Sequence, residues 1–185
     1  MEVGTPFTII ALSGQTGSGK TSLARELSNR LGAPVVSFGS FVRSQARNRG
    51  GAEDRVALQN LGQTLIDELG PDEFVRKVVQ SGEENSGKTL ILEGVRSVEI
   101  WQAVQKQASK SVLIYLDIEE GKRTERLMKR DNLDVPTIQE VMQHSMEVNV
   151  LKLRSHADLL LHSNSIEWMV SEVITMLVCN AMVEQ

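Results

Sequence analysis

The sequence predicts an α/β protein with three layers, α/β/α, built around a five-stranded parallel sheet. Three observations carry this expectation. Short apolar runs rich in branched residues recur along the chain, and stretches with helical spacing separate them. The runs are continuously apolar, as strands buried on both faces must be, because crossover helices cover both sides of a parallel sheet. A glycine-rich loop, GQTGSGKT at Gly14–Thr21, lies between the first run and the first helical stretch. Composition agrees: 41% apolar and 24% charged residues over 185 suit one globular domain spanning 1–185.

The elements follow in order. FTIIALS (Phe7–Ser13) reads as a buried strand. In TSLARELSNRLG, Leu23, Leu27 and Leu31 recur every four residues and Gly32 is a stop signal, so a helix is expected. PVVS (Pro34–Ser37) is a short strand, and GSFVRSQARNRG and DRVALQNLGQTLIDELG read as helices. PDEFVRKVVQ puts Phe74, Val75, Val78 and Val79 on one helical face. TLILE (Thr89–Glu93) is a strand, VEIWQAVQKQA a helix, and SVLIYLDI (Ser111–Ile118) the clearest strand. EEGKRTERLMKR reads as a charged helix, and a long helix to about His156 follows the break at DNLDVPT. ADLLLHS is the last strand, and a final helix runs from Ile166. Ligands of such sheets gather at the C-terminal strand ends. Ser37, Glu93, Ile118 and the glycine loop are therefore expected on one rim.

Two segments satisfy G-x-x-x-x-G-K-[ST], the P-loop or Walker A pattern: Gly14–Thr21 and GEENSGKT at Gly82–Thr89. A working P-loop leaves a buried strand and opens a helix, so that backbone N–H groups and the helix dipole face the phosphates. The first match has that context. The second lies between a helical pattern and a strand, and Glu83 and Glu84 would repel phosphate, so it predicts a polar turn. Gly14, Gln15, Thr16, Gly17, Ser18, Gly19, Lys20, Thr21 and Ser22 are the expected ATP-binding residues. Lys20 is expected to bridge the terminal phosphates and the Thr21 hydroxyl to hold Mg²⁺.

A P-loop by itself spans kinases, GTPases, motors and transporters. The guanine-reading N-K-x-D is absent, and the length argues against an AAA+ module with its own helical lid domain. Further segments resemble the P-loop nucleoside monophosphate kinases, in their adenylate and cytidylate kinase-like and dephospho-CoA-kinase-like branches. VSFGSFVR (Val36–Arg43) resembles the adenylate-kinase turn whose arginine holds the acceptor phosphate; Arg43 matches that arginine. LILEGVRS (Leu90–Ser97) resembles the acidic-Gly-x-Arg turn of the cytidylate and dephospho-CoA kinases. Glu93 matches the acid that organises Mg²⁺, and Arg96 the arginine that clamps the acceptor. RTERLMKR resembles the lid-entry helix with its two arginines, here Arg126 and Arg130, and ADLLLHS with its final helix resembles the closing elements of the dephospho-CoA-kinase-like branch. The chain departs from the family pattern where Ser40 replaces an aspartate, where Glu93 replaces the commoner aspartate, and in a short lid, Asp131–Pro136.

The resemblance implies a P-loop kinase fold with an acceptor-binding helical region over about 38–80. It implies catalytic roles for Lys20, Glu93, Arg126 and Arg130, acceptor binding by Arg43 and Arg96, and metal binding by Thr21 and Glu93. The implied reaction moves the γ-phosphate of Mg·ATP to a small-molecule acceptor, best a nucleoside or deoxynucleoside monophosphate. A dephospho-CoA-kinase-like enzyme and a nucleotide-dependent switch or assembly ATPase are the alternatives. Arginine suits such sites because its planar fork binds phosphate bidentately.

Net charge is −4, which offers no basic field for nucleic acid, and the first apolar run is too short to span a membrane. The single cysteine, Cys179, rules out an intrachain disulfide and fits a reducing, cytoplasmic setting; Glu2 stands where a signal peptide carries positive charge. Arg47, Arg49, Lys122, Arg123 and Lys129 read as surface charge. His144, His156 and His162 show no ligand spacing. Trp101, Trp168 and Cys179 are expected to pack. Ile166, Met169, Val170, Val173, Ile174, Leu177 and Val178 form a broad apolar face for docking on the sheet, with room for a homodimer contact.

Overall fold

The computed structural model describes residues 7–82, 88–131, 135–143, 145–162 and 165–183. The strands are β1 (Thr8–Ser13), β2 (Val35–Ser37), β3 (Thr89–Val95), β4 (Lys110–Asp117) and β5 (Leu159–His162). All pair in parallel, in the order β2-β3-β1-β4-β5. The helices are α1 (Lys20–Leu31), α2 (Phe38–Asn48), α3 (Arg55–Leu69), α4 (Pro71–Gln80), α5 (Val98–Gln107), α6 (Glu120–Asp131), α7 (Val135–Gln143), α8 (Ser145–Lys152) and α9 (Ile166–Val183). A 3-10 turn, Leu153–His156, precedes β5. Among the described residues no helix is long and apolar enough to cross a membrane.

Alternation along the strands divides the core into two. Ile9, Ala11, Leu90, Leu92, Leu113 and Tyr115 pack with side chains of α2, α3, α4, α5 and α8. Ile10, Leu12, Ile91, Ile114 and Leu116 face the other way and pack with Leu23 and Leu27 of α1 and with Met169 and Val173 of α9. Both faces are thus covered, which is why the strands are apolar throughout. This is the expected three-layer sandwich, and Phe74, Val75, Val78 and Val79 of α4 are buried as their spacing implied.

The differences from expectation have local causes. The region read as one long helix is described as α7, α8 and the 3-10 turn, and α7 starts inside the expected break. Pro136 is its second residue, where a missing N–H costs nothing. Of the short lid expected at 131–136, Asp131 ends α6, Val135 and Pro136 open α7, and 132–134 lie outside the described residues. Residues 83–87 of the second glycine segment, including Glu83 and Glu84, also lie outside them, as does His144. The flanks of that segment, α4 before and β3 after, are the reverse of a phosphate-binding context. Trp101 is buried, but Trp168 is 39% exposed and Cys179 is exposed. α9 presents Met169, Val170 and Val173 to the core. Trp168 precedes that face by about 100° of helical rotation, and Cys179 lies about 240° beyond Val173.

β3 carries one irregularity that shapes the rim. Leu12 pairs with Glu93 but Ser13 pairs with Val95, so Gly94 is an extra residue, a bulge, with φ +96°. The Ser13 hydroxyl donates to the Val95 carbonyl at 2.7 Å and closes it. The bulge reverses the side-chain parity: Val95 packs in the α2–α5 core beside Leu92, although an uninterrupted strand would turn it toward α1. A Cβ on Gly94 would meet Phe38 Cβ at 3.7 Å, an ordinary contact, so φ and not space restricts this position. Gly94→Ala is therefore expected to lower unfolding free energy by about 1–2 kcal/mol. Urea denaturation measures it, and an unchanged midpoint would show that the bulge accepts a side chain freely.

Candidate active site

The rim at the C-terminal strand ends is built around the loop that β1 delivers. At Gly14, φ is +134°, and a Cβ there would lie 2.6 Å from the Leu116 carbonyl oxygen. No other residue fits between β1 and β4. The Ser18 N–H donates to the Gln15 carbonyl at 3.1 Å and folds the loop over the start of α1. The N-cap of α1, Gly19, offers no side-chain cap, and no acidic residue stands in the first turn. The uncapped N–H groups and the helix dipole suit an anion.

Lys20 is 7% exposed and curls back into this loop. Its ammonium donates to the Gly14 carbonyl at 2.7 Å, the Gln15 carbonyl at 3.0 Å and the Ser18 hydroxyl at 3.2 Å. Burial, then the charge of Arg96, lowers its pKa to about 7, with Glu147 and Glu93 pulling the other way and Arg55 adding to the shift. Thr21 Oγ1 donates to Glu93 Oε1 at 2.7 Å, so α1 and the end of β3 meet at the two residues expected to handle a metal. Ser22 follows on the exposed side of α1. Mg²⁺ takes one or two carboxylates and fills its octahedron with water and phosphate oxygens. The Thr21 hydroxyl and Glu93 carboxylate are a donor set of that kind. Among the described residues no cluster of three or more His, Cys, Asp or Glu offers a cage for a metal held without a nucleotide.

Glu147 on α8 is fully buried, and no signal in its local sequence marks it. Its carboxylate accepts from the Thr16 N–H at 2.8 Å and the Thr16 hydroxyl at 2.5 Å, and pairs with the Arg96 guanidinium. Arg96 also donates to Thr16 Oγ1 at 3.3 Å. Burial pushes the Glu147 carboxyl up; Arg96, the Thr16 hydrogen bonds and Lys20 outweigh it and hold the pKa at about 2.

From α6, Arg126 donates to the carbonyls of Gly17 at 3.3 Å and Ser18 at 3.2 Å, which sets its guanidinium on the loop. The side chain of Arg130 lies outside the described residues. Arg123, expected at the surface, is 3% exposed and donates to the Thr16 carbonyl at 3.4 Å. The P-loop lies across it, a burial that its charged neighbours in sequence conceal. Lys122 and Lys129 are exposed and pair with Glu119 and Glu125, as surface charges do. Arg47 and Arg49 are likewise exposed, paired with Glu53 and Glu68.

Between this rim and α2–α3 lies a cavity of about 420 Å³. Thr21, Glu93 and Arg96 form one end of its wall, Arg43 and Arg55 stand on the helical side, and Gln59 also lines it. Arg43 leans on Glu53 at 3.5 Å with its side chain 48% exposed. The sequence pointed to Arg43 and Arg96; Arg55 and Gln59 carry no motif.

A parallel sheet in this order, with a glycine loop running from its central strand into a helix, defines a P-loop nucleotide-binding protein of the three-layer kinase fold. Comparisons with known proteins agree. A family profile described as "AAA domain" matches residues 13–141. The matched residues run from the end of β1 to α7 of the fold above. A UPF0200 protein of Pyrococcus abyssi is 33% identical over 132 residues, 69% of this chain and 70% of its own. A cytidylate kinase of Methanothermobacter thermautotrophicus is 32% identical over 135 residues, 71% of this chain and 74% of its own. The APS kinase of Mycobacterium tuberculosis, solved with AMPPNP and APS, aligns over 94% of this chain and 99% of its own, with a TM-score of 0.63 and 16% identity, a likeness of fold. The chain belongs to this AAA-domain family of P-loop kinase-like proteins, with the UPF0200 proteins and cytidylate kinases among its relatives. Membership implies nucleotide binding.

Two outcomes follow from the titrating groups. The carboxyl of Glu147 lies well below its unfolded value, so its stabilisation is complete above about pH 5 and is lost as pH falls toward 2. Glu147→Gln should flatten this acid limb; chemical denaturation from pH 6 to 2.5 measures it, and parallel limbs in both proteins would refute it. The Lys20 ammonium is about half deprotonated near pH 7. A bound polyphosphate raises its pKa, so nucleotide binding should take up protons increasingly from pH 6 to 8. Calorimetry in buffers of different ionisation enthalpy reads the uptake, and Lys20→Arg should abolish it.

Proposed function

We propose that the protein is a small-molecule kinase that transfers the γ-phosphate of Mg·ATP to a nucleoside or deoxynucleoside monophosphate. One observation supports this most: a single cavity runs from the Thr21–Glu93 pair at the P-loop to Arg43, Arg55 and Arg96. Donor chemistry and an anion-binding acceptor wall thus share one space. On this reading, the loop from Gly14 to Ser22 holds ATP and Lys20 leaves its carbonyl partners for the terminal phosphates. Thr21 and Glu93 hold Mg²⁺, which neutralises phosphate charge when bound. Arg43 and Arg96 clamp the acceptor phosphate. Arg126, already on the loop, and Arg130 neutralise charge in the transition state. An acceptor phosphate oxygen attacks the γ-phosphorus, the bond to the β–γ bridging oxygen breaks, and ADP leaves with that electron pair.

A phosphate monoester favours this acceptor over an alcohol. Its second pKa is about 6, so it is already an oxyanion at neutral pH. A hydroxyl acceptor such as dephospho-CoA calls for a general base. Glu147, the buried carboxylate of the rim, is held near pKa 2 and committed to Thr16 and Arg96.

A coupled ADP-release screen tests the proposal with nucleoside monophosphates, with dephospho-CoA and without acceptor. Release should depend on a nucleoside monophosphate. Arg43→Ala should raise the KM of that acceptor about tenfold and leave the KM for ATP unchanged. Slow release indifferent to acceptor would favour a nucleotide-dependent switch, and a preference for dephospho-CoA the other kinase reading.

A further inference from the structure

Among the described residues, buried side-chain polar atoms without a hydrogen-bond partner occur at Arg123 and at Gln59, and only Gln59 leaves a whole amide unpaired. Gln59 is 8% exposed, and neither its Oε1 nor its Nε2 has a hydrogen-bond partner among the described residues. A buried amide left without partners carries a desolvation cost of about 1–3 kcal/mol, which an apolar residue of similar shape would avoid. Gln59 sits in the second turn of α3, where apolar neighbours Leu58 and Leu61 pack against the core, so leucine or methionine would suit the position. Gln59 lines the cavity between the rim and α2–α3.

The surroundings define what could satisfy it. Phe38, Phe74, Leu58 and Ile100 line the same cavity, with the Phe38 and Phe74 rings 5.6 Å apart. These apolar walls suit a flat ring, while Arg43, Arg55 and Arg96 supply positive charge for a phosphate. A carboxamide presents one acceptor and two donors, and it pairs with a ligand edge that carries a donor and an acceptor side by side. Nucleobases have such edges; sugar acids and polyols do not combine one with an aromatic face. Resting on the kinase reading above, we propose that Gln59 selects the acceptor by reading the hydrogen-bonding edge of its base. The acceptor is then a nucleoside monophosphate held at two ends, by arginines at the phosphate and by Gln59 at the base.

Gln59→Met keeps length and packing while removing both polar atoms. Kinetics with four nucleoside monophosphates and dephospho-CoA, and inhibition by ribose 5-phosphate, a phosphate without a base, test the assignment. The best nucleotide should lose about tenfold in kcat/KM, through KM, while the ribose 5-phosphate inhibition constant and the KM for ATP stay the same. The melting temperature should hold or rise, because the orphaned amide is gone. A parallel Gln59→Leu variant should behave likewise. Equal kinetics in wild type and both variants would make the amide a structural orphan and overturn the inference while the kinase reading stood. A loss shared by nucleotide and ribose 5-phosphate would mean a deformed cavity and would also overturn it, as would selective loss on dephospho-CoA with no nucleotide turned over. Absence of turnover with every acceptor would overturn the kinase reading and the inference together.

Discussion

Glu147 carries a negative charge from α8 into the interior and divides it among the Thr16 N–H, the Thr16 hydroxyl and the Arg96 guanidinium. The partners come from parts of the chain far apart: the P-loop after β1, the turn after β3, and α8, the second helix beyond the segment expected to be a lid. Burying such a pair adds little net stability, because desolvation offsets the attraction; removing one partner is what costs, about 3–5 kcal/mol. The arrangement therefore acts as a positional constraint. It fixes Thr16, which orients the loop above Lys20, and it fixes Arg96 at the mouth of the cavity. The bulge at Gly94 works with it by setting the side-chain directions of β3 ahead of Arg96.

The rim runs against the charge of the whole protein. The chain carries a net −4, yet Lys20, Arg96, Arg123 and Arg126 crowd one loop, with Glu93 and Glu147 as the acids built into it. Crowded cations repel, and burial strengthens the repulsion. Burial first and the charge of Arg96 second lower the Lys20 pKa, and Arg123 keeps a buried Nε without a hydrogen-bond partner among the described residues. Polyphosphate charge offsets repulsion among such cations. Strain of this kind gathers where a protein binds, because selection there acts on the liganded state.

The cavity shows the same division at its other end. Arg43 is half-exposed and paired with Glu53, so it can exchange partners readily, whereas Arg96 is held by the buried Glu147. Gln59 is buried and its amide has no hydrogen-bond partner among the described residues. On the proposed reading, the phosphate end of the cavity relies on charge, which tolerates small displacements, whereas the amide at the base end demands aligned donors and acceptors.

Much of this was legible in the sequence. Apolar runs and helical spacing located the strands and helices, and the strand-loop-helix setting separated the P-loop from its look-alike at Gly82–Thr89. These signals are local: an α-helical hydrogen bond spans four residues, and a strand's alternation spans two. Local sequence pointed to Arg43 and Arg96 because they stand a few residues from recognisable turns, and to Arg126 because its helix resembles a lid entry. Glu147, Gln59 and Arg123 were missed because nothing within a helical turn of them states their surroundings. Arg123 lies in a stretch so charged that local pattern implied solvent, and Trp168 and Cys179 lie in one so apolar that it implied core. Sequence by itself determined the elements, their parallel order of use and the loop that takes an anion. Tertiary structure alone decided which polar groups lost water. Desolvation depends on what packs over a side chain from distant parts of the chain, and that is settled only when the sheet and its two helical layers close.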